Sequence, residues 1–523
     1  MRRTRWACLA LVALAVSACS SGGAGGASGG GAAGDAIVID TFFDLKTVDP
    51  GREYELTGNL LTKAMYETLL TFDGGDVTKP LPGLADFTLS PDATTLTLTL
   101  KPGRVFSDGS PVTADDVVFS LQRVQGIKGN PSFLLDGVTV AKTGDATVTL
   151  TSAKPSPALP YILPSPALSI VNSKVVKANG GTADANDGAE KFLNGASAGS
   201  GPYMLSSLDV SSQAKLVRNP AYNGPDKPAY GTAIVRNVAA PTQKLNVQRG
   251  DSQVALDLSS DQAKGLGGSL EVTSGASAYM IFLLLSQDPG ISAVTSNPDF
   301  ATAVKKAIDY KGLLEVAGTG AVQPPGMIPS LFAGALPAEK AMTFDLEGAK
   351  AALAKSGAAG QSVKLSYPSD VTLGGLSFQT LAERLQSQLT AAGITVTLAP
   401  APVATELDAY RNGKEQMGLW YWGPDYPYAA DYLAFAPDGL IGKRVRWTAA
   451  QSPAIADIAG KAAVASDEAA RTQLYQQFQE QLNASGPFVP LVQPPTNIVS
   501  AKSVSGVAYN AVWGLDIAGL GVR

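Results

Sequence analysis

The spacing of apolar and polar positions predicts strands and helices in alternation along most of the chain. Residues 96–100 alternate Leu and Thr strictly, which is the period of a strand with one buried face. Residues 281–285 are wholly apolar but few, and this predicts a short buried strand. Across 378–389 the apolar residues recur at helical spacing, so one face of a helix is expected there to pack against a core.

Two helix starts are marked by capping residues. Thr113 stands three positions before Asp116, the spacing of a capping box. Asn297 precedes Pro298, a pair that favours the first turn of a helix. Further strands are predicted at 37–41, 363–367, 394–398 and 417–422, and further helices at 60–70 and 346–356. This alternation indicates an α/β protein.

The first 18 residues are predicted to be a secretory signal peptide. Three arginines stand near its start, and an apolar run over 6–16 follows that is too short to cross a bilayer as a helix. Small residues then precede Cys19, an order that resembles a lipobox and implies a diacylglycerol on the Cys19 thiol. An ordinary signal with a chance cysteine is the alternative. Residues 19–34 are almost only Ser, Gly and Ala, which predicts a flexible tether behind the anchor.

Composition narrows the classes of function. A chain of 523 residues is long enough for two or three domains. Its net charge of −5 argues against nucleic acid as a partner. The sequence has no histidine, and Cys8 leaves with the signal, so only Cys19 remains. Histidine-based and thiol catalysis, disulfides and His/Cys metal sites are therefore not expected. We predict no enzyme activity and no cofactor; an exported hydrolase using carboxylates or a Ser/Lys pair is the weak alternative.

The segment 81–120 carries the most specific pattern. Its motifs are Ser90-Pro91-Asp92, Lys101-Pro102-Gly103, Phe106-Ser107-Asp108-Gly109 and Thr113-Ala114-Asp115-Asp116-Val117. Together with Gly201-Pro202-Tyr203 and the segment 420–432, they resemble the peptide, dipeptide and nickel family of substrate-binding proteins that serve ABC importers. The resemblance covers the chain from residue 35 onward.

The resemblance implies an α/β, periplasmic-binding-protein-like two-lobe fold of type II with an additional inserted domain. Two crossing segments would form a hinge, and the lobes would close on a ligand. The implied boundaries are 35–65 with 196–278 and 483–523 for the first lobe, 66–195 for the extra domain, and 279–482 for the second lobe. The implied partners are a peptide ligand, the permease and ATPase subunits of an importer, and the membrane through the lipid anchor. A monomer on the extracytoplasmic face of the cell membrane is expected.

The resemblance also implies a ligand site around Asp425. Peptide-binding relatives hold the ligand's α-ammonium group with the aspartate of a Trp-x-x-Asp stretch, and Trp422 precedes Asp425 at that spacing. A charge-assisted hydrogen bond of this kind contributes about 1.5–3 kcal/mol. The alternative is that Asp425 is only a turn residue after Pro424.

Aromatic residues surround this position in the sequence. Trp420 and Trp422 are two apart, so on a strand they point to the same face. With Tyr426 and Tyr428 they are candidates for the wall of a pocket that accepts varied side chains. Packing in a lobe core is the alternative, and we expect it for at least one of these rings. Weaker pocket candidates are Tyr432, Trp447 and Trp513.

One departure from the family pattern bears on the ligand. Some dipeptide binders clamp the ligand carboxylate with an arginine, where this chain has Gln379 or Thr380; Arg384 lies several residues away and is not assigned that role. Oligopeptides are therefore favoured over strict dipeptides, and the missing histidines disfavour nickel. The alternatives left open are an oligosaccharide or other solute, and a surface lipoprotein that senses its ligand.

Overall fold

The computed structural model describes residues 35–225 and 227–523. The predicted signal peptide, the tether and the lipidation of Cys19 lie outside the described residues. In the part described, no helix is both long and apolar enough to cross a membrane.

The first of three larger sheets has seven strands. In spatial order they are Leu270–Ala276, Pro495–Ala501, Val254–Ala255, Ala36–Thr41, Thr232–Asn237, Gln213–Arg218 and Tyr203–Asp209. Ala36–Thr41 is central and runs parallel to both of its neighbours. Ile37 and Ile39 in this strand are fully buried, as expected for apolar residues of a strand in the middle of a sheet.

The second sheet has five strands. Their spatial order is Thr395–Ala401, Ser362–Pro368, Met417–Trp422, Met280–Leu285 and Phe488–Val492. Every residue of Met280–Leu285 is buried, as predicted for 281–285, because its side chains join two different cores on the two faces of the sheet. The amphipathic helix Phe378–Ala391 packs its predicted apolar stripe into one of these cores.

The third sheet has four antiparallel strands. Their order is Ala85–Leu89, Thr95–Leu100, Thr147–Ser152 and Val138–Lys142. The helix Ala114–Ile127 begins with the predicted capping box, in which Thr113 and Asp116 each accept a backbone N–H from the other's residue.

The remaining elements connect these sheets or cover them. Three two-stranded pairs are Leu70–Asp73 with Asp76–Pro82, Thr372–Leu373 with Leu376–Ser377, and Val504–Ser505 with Gly521–Val522. The other α-helices are Leu56–Met65, Leu159–Ile162, Ser173–Ala178, Glu190–Leu193, Ala240–Arg249, Ser260–Ala263, Pro289–Ser292, Pro298–Ala307, Tyr310–Ala317, Leu346–Ser356, Val403–Arg411, Leu440–Arg444, Pro453–Val464 and Glu468–Ser485. Short 3-10 helices are Asn130–Leu135, Pro166–Leu168, Ala338–Lys340 and Ala429–Phe435.

The chain crosses between the seven-stranded and five-stranded sheets at two adjacent places. Residues 277–279 join Leu270–Ala276 to Met280–Leu285, and residues 493–494 join Phe488–Val492 to Pro495–Ala501. The Ser277 N–H donates to the Pro494 carbonyl at 2.9 Å, and the Gln493 side-chain amide donates to the Ser277 carbonyl at 3.1 Å. The result is an α/β fold of two lobes joined by two hydrogen-bonded crossing segments.

Two local details differ from the sequence patterns. The helix predicted at 60–70 spans Leu56–Met65, because Tyr66 is extended and buried and Leu70 begins a strand. The strand Phe488–Val492 lies in the five-stranded sheet, although the boundary prediction assigned it to the other lobe. The domain boundaries themselves stay predictions.

Candidate functional site

Two adjoining cavities lie between the two lobes. The smaller has a volume of about 250 Å³ and the larger about 910 Å³. Asp44, Leu56, Tyr279 and Tyr509 line both, so the two spaces share a wall. Volumes of this order suit a small ligand or a short peptide. Tyr279 belongs to a crossing segment, which places the cavities against the hinge.

Asp425 lies on the wall of the smaller cavity. The strand Met417–Trp422 ends just before it, and a Gly-Pro turn brings its side chain to the cavity edge. The hydroxyl of Tyr54 donates to Asp425 Oδ1 at 2.9 Å. No lysine or arginine of the described chain forms an ion pair with this carboxylate. A carboxylate that is half-buried without a cation is suited to receive one from a ligand.

The neighbouring Asp431 positions the Asp425 loop. Its Oδ2 accepts the backbone N–H of Asp425 at 3.1 Å and the indole N–H of Trp422 at 3.3 Å. Burial, reinforced by the charge of Asp425, raises the pKa of Asp431. Burial also raises the pKa of Asp425, while the Tyr54 hydrogen bond lowers it. Because the charge of Asp425 disfavours the charged form of Asp431, the two carboxyl groups titrate as a linked pair.

Tyr54 is a site residue that the sequence analysis missed. It lies between Ala36–Thr41 and Leu56–Met65, and its hydrogen bond to Asp425 joins positions 371 residues apart. Burial raises the pKa of its hydroxyl, so Tyr54 remains a neutral donor. No local motif marks such a residue, because its role depends on how the two lobes meet.

The predicted aromatic wall is only partly assembled. Tyr426 lines the smaller cavity beside Asp425. Trp422 is half-buried and lines neither cavity; its ring meets Phe435 edge-on at 6.0 Å while its indole N–H holds Asp431. It therefore supports the Asp425 loop from behind.

Trp420 and Tyr428 lie in the core. Trp420 is 2% exposed, stacks on Tyr410 at 4.1 Å and donates its indole N–H to Glu415. Tyr428 is 4% exposed and stacks on Tyr161 at 4.3 Å. Neither lines the two cavities, in line with our expectation that at least one ring would be a core residue.

The weaker aromatic candidates also differ in whether they line a cavity. Tyr432 and Trp447 are buried and line neither cavity. Trp513 is also buried, but it lines the larger cavity.

The charged residues that line the two cavities are all acidic. The carboxylates that line one or both are Asp44, Glu55, Asp257, Asp370 and Asp425, and no described lysine or arginine lines either cavity. Gln379 accepts from Tyr367 and donates to Glu383, away from both spaces. Arg384 lies beside Gly312, where an added Cβ would stand 2.5 Å from its Nη2. The residues that line the two cavities therefore place no cation against a ligand carboxylate there. The described residues also contain no group of His, Cys, Asp and Glu arranged to hold a metal ion.

Comparison with known proteins identifies the family. Residues 79–438 match the model of bacterial extracellular solute-binding proteins, family 5 Middle. The probable D,D-dipeptide-binding periplasmic protein DdpA of Escherichia coli (strain K12) is 28% identical, over 91% of this chain and 92% of its own length.

Solved structures agree in fold. The ABC transporter substrate-binding protein CtaP of Listeria monocytogenes superposes with a TM-score of 0.80 at 18% identity, over 93% of this chain and 99% of that one. DppA of Helicobacter pylori in complex with the peptide STSA gives a TM-score of 0.72 at 21% identity, over 93% and 98%. These likenesses support the two-lobe fold, and the family model covers most of the chain. This protein belongs to the bacterial extracellular solute-binding proteins, family 5.

Proposed function

We propose that this protein captures a peptide between its two lobes and delivers it to the permease of an ABC importer. The peptide's amino terminus is held at Asp425. Tyr54 of one lobe and Asp425 of the other meet at this position, so a ligand bound there contacts both lobes and favours their closure.

The observation that carries the proposal is the uncompensated carboxylate of Asp425. Tyr54 donates one neutral hydrogen bond to it, and no described cation pairs with it. A peptide's α-ammonium group supplies the missing charge and three N–H donors. The names of similar proteins agree with this ligand class: DdpA is described as a D,D-dipeptide binder, and a protein of Pseudomonas aeruginosa that is 24% identical is a di/tripeptide-binding protein.

The cavities favour an oligopeptide over a strict dipeptide. No described lysine or arginine lines them, so a free C-terminal carboxylate near Asp425 would find no partner. The larger cavity continues from the smaller one and gives a longer chain room to extend. Main-chain hydrogen bonding to such a ligand would provide affinity with little sequence preference.

The test is calorimetric binding of a tetra-alanine peptide with and without an N-acetyl cap. Loss of one charge-assisted hydrogen bond costs about 1.5–3 kcal/mol, so Asp425→Asn should weaken binding of the uncapped peptide by roughly 10- to 150-fold. The capped peptide should bind the unmodified protein equally weakly and lose nothing further in Asp425→Asn. Asp86→Asn, an exposed carboxylate on the four-stranded sheet, is the charge-matched control.

An equal loss for both peptides in Asp425→Asn would show that the aspartate only supports the turn. Tight binding of oligosaccharides with no binding of peptides would establish the alternative ligand class. That alternative is weakened by the placement of Trp420 and Tyr428 in the core, because two fewer aromatic faces are available for sugar rings.

We also propose that the mature protein is a lipoprotein held on the extracytoplasmic face of the cell membrane by Cys19. The order of residues before Cys19 and the Ser/Gly/Ala tether after it support this. Cys19→Ala should release the protein from the membrane fraction and remove the diacylglycerol mass from its amino terminus. An unmodified Cys19, or a Cys19→Ala protein that stays in the membrane, would contradict lipidation.

A further inference from the structure

The larger cavity carries more negative charge than a single amino terminus needs. Asp44, Asp257 and Asp370 line it, and no lysine or arginine of the described residues does. Asp44 and Asp257 come from the lobe with the seven-stranded sheet, and Asp370 follows a strand of the other lobe. The space between the lobes is therefore acidic on both sides.

Asp257 is the carboxylate held most firmly. Its Oδ2 accepts from the Thr41 hydroxyl at 3.0 Å, the Phe42 backbone N–H at 2.6 Å and the Gln243 side-chain amide at 2.8 Å. All three donors are neutral. Its Oδ1 accepts no hydrogen bond from the described residues. The carboxylate is thus fixed in orientation, with one oxygen left for another donor.

An exposed aromatic residue lines the same cavity as this carboxylate. Phe42 lines the larger cavity with 64% of its surface exposed, while its backbone N–H is bonded to Asp257. Leu56, also exposed, lines the same cavity. An aromatic face next to a carboxylate suits the side chain of lysine or arginine, whose apolar stem packs on the ring while its charged end reaches the anion.

Two buried polar groups on this cavity have no partner within the described chain. Trp513, 2% exposed, has an unpaired indole N–H, and Ser277, 6% exposed, has an unpaired hydroxyl. Buried polar groups are usually hydrogen-bonded, so each unpaired one calls for an explanation. Both residues line the larger cavity, but the two unpaired atoms lie beneath its surface. The argument for a cationic side chain therefore rests on Asp257 and on the residues exposed to the cavity.

We propose that this protein selects peptides with a second positive charge, a lysine or arginine side chain bound at Asp257 against the ring of Phe42. The inference rests on the proposed function, because it takes the peptide's amino terminus to be at Asp425. Asp44 and Asp370 add to the negative potential of the cavity without being required as direct partners.

The experiment compares lysine with its uncharged analogue norleucine in tetrapeptides with free amino termini. The residue is scanned through positions two, three and four of an alanine background, and binding is measured by calorimetry. At one position the lysine peptide should bind at least about tenfold more tightly than the norleucine peptide. Asp257→Asn should reduce this preference to within about twofold, and Asp86→Asn should leave it unchanged.

Phe42→Leu provides a second variant that keeps the carboxylate and its backbone donor. It should reduce the lysine preference in part, measured as the ratio of the lysine and norleucine affinities of the same variant. If Asp257→Asn does not fold, this variant and the norleucine comparison on the unmodified protein still decide the question.

The possible outcomes separate the two proposals. Equal binding of lysine and norleucine peptides at every position overturns the selection for basic residues and leaves peptide capture intact. A lysine preference that persists in Asp257→Asn overturns the assignment to Asp257. If the diamine cadaverine binds tightly and no peptide does, peptide capture is wrong, and the selection of basic peptides that rests on it is wrong as well. If neither binds, both proposals are wrong.

Discussion

Two groups of aspartates in this protein differ in their partners: one group is paired with arginine, and the other has no cationic partner among the described residues. The arginine cluster consists of Arg52, Arg123, Asp49 and Asp187. Within it, Arg123 donates to both oxygens of Asp49 at 2.7 Å and to both oxygens of Asp187 at 2.7–2.8 Å. The side chains of Arg123, Asp49 and Asp187 are at most 2% exposed. Each charge in this cluster is compensated, and the contacts tie Ala114–Ile127 to the N-terminal segment.

The open carboxylates are Asp44, Asp257, Asp370 and Asp425. All line the cavities, and none forms an ion pair with a described lysine or arginine. A neutral donor bonds each of the four: the Thr57 N–H on Asp44, the Phe42 N–H on Asp257, the Val403 N–H on Asp370 and the Tyr54 hydroxyl on Asp425. The paired aspartates lie in the core and join elements of the fold, whereas the open ones line the cavities in which we propose a cationic ligand.

The largest effect is expected from breaking the arginine cluster. Arg123→Met leaves the buried Asp49 and Asp187 with Arg52 as their remaining cation, at 3.4 and 3.0 Å, so the free energy of unfolding should fall by about 3 kcal/mol, the lower end for a broken buried ion pair. Peptide affinity of the folded protein should change by less than about twofold, because the cluster lines neither cavity. Urea denaturation and calorimetry measure the two quantities. Substantial loss of peptide affinity at unchanged stability would contradict the assignment of a structural role to the arginine cluster.

A smaller effect is expected from pH on the open carboxylates. Burial raises the pKa of Asp425 in the free protein, and a bound ammonium group lowers it, so the free protein holds the proton more tightly. Affinity for an uncapped peptide should therefore fall as the pH drops through that raised pKa, by at most about tenfold per pH unit for each such carboxylate. Calorimetry in two buffers of different ionisation enthalpy would detect the proton released on binding.

Asp425→Asn serves as the control for that titration, since it removes the titrating group while keeping its shape. Its affinity for a peptide without basic side chains should depend less on pH than that of the unmodified protein. An unchanged pH profile in this variant would mean that another group, and not Asp425, senses the ligand's charge.

The sequence correctly predicted those elements whose structure depends on residues close together in the chain. The capped helix Ala114–Ile127 and the apolar strand Met280–Leu285 depend on neighbouring residues, and the structure confirms both. The predicted helix end was wrong because the extended geometry of Tyr66 depends on packing: a Cβ on Gly199 or Gly201 would collide with the segment around it. Such long-range packing leaves no periodic mark in the sequence.

The site was less predictable than the fold for the same reason. Asp425 stands out by its place in a family motif, but its partner Tyr54 lies 371 positions away. Asp257 follows a strand of only two residues, Val254–Ala255, which is too short to show a pattern. Trp420 and Trp422 share a strand face, yet Tyr410 covers only the first, so equal spacing did not mean equal exposure.

The smallest of the three effects concerns closure of the two lobes around the cavities that the open carboxylates line. The turn at Gly374 and Gly375 in the second lobe reaches the first lobe: a Cβ on Gly375 would lie 2.1 Å from the Cβ of Ser259. Gly375→Ala should therefore hold the lobes slightly apart, reduce the contacts that a bound peptide makes with both lobes, and weaken peptide binding by about three- to tenfold.

Gly360→Ala is the matched control for that variant. Both glycines have positive φ, +84° and +79°, so both substitutions strain the backbone, but a Cβ on Gly360 meets nothing within 4 Å. Each should cost about 1 kcal/mol of stability from the backbone alone. Only Gly375→Ala should also lower affinity and enlarge the ligand-bound protein in small-angle scattering. Equal affinities for the two variants would mean that the turn does not limit closure and that the open carboxylates bind their cation whether or not the lobes meet there.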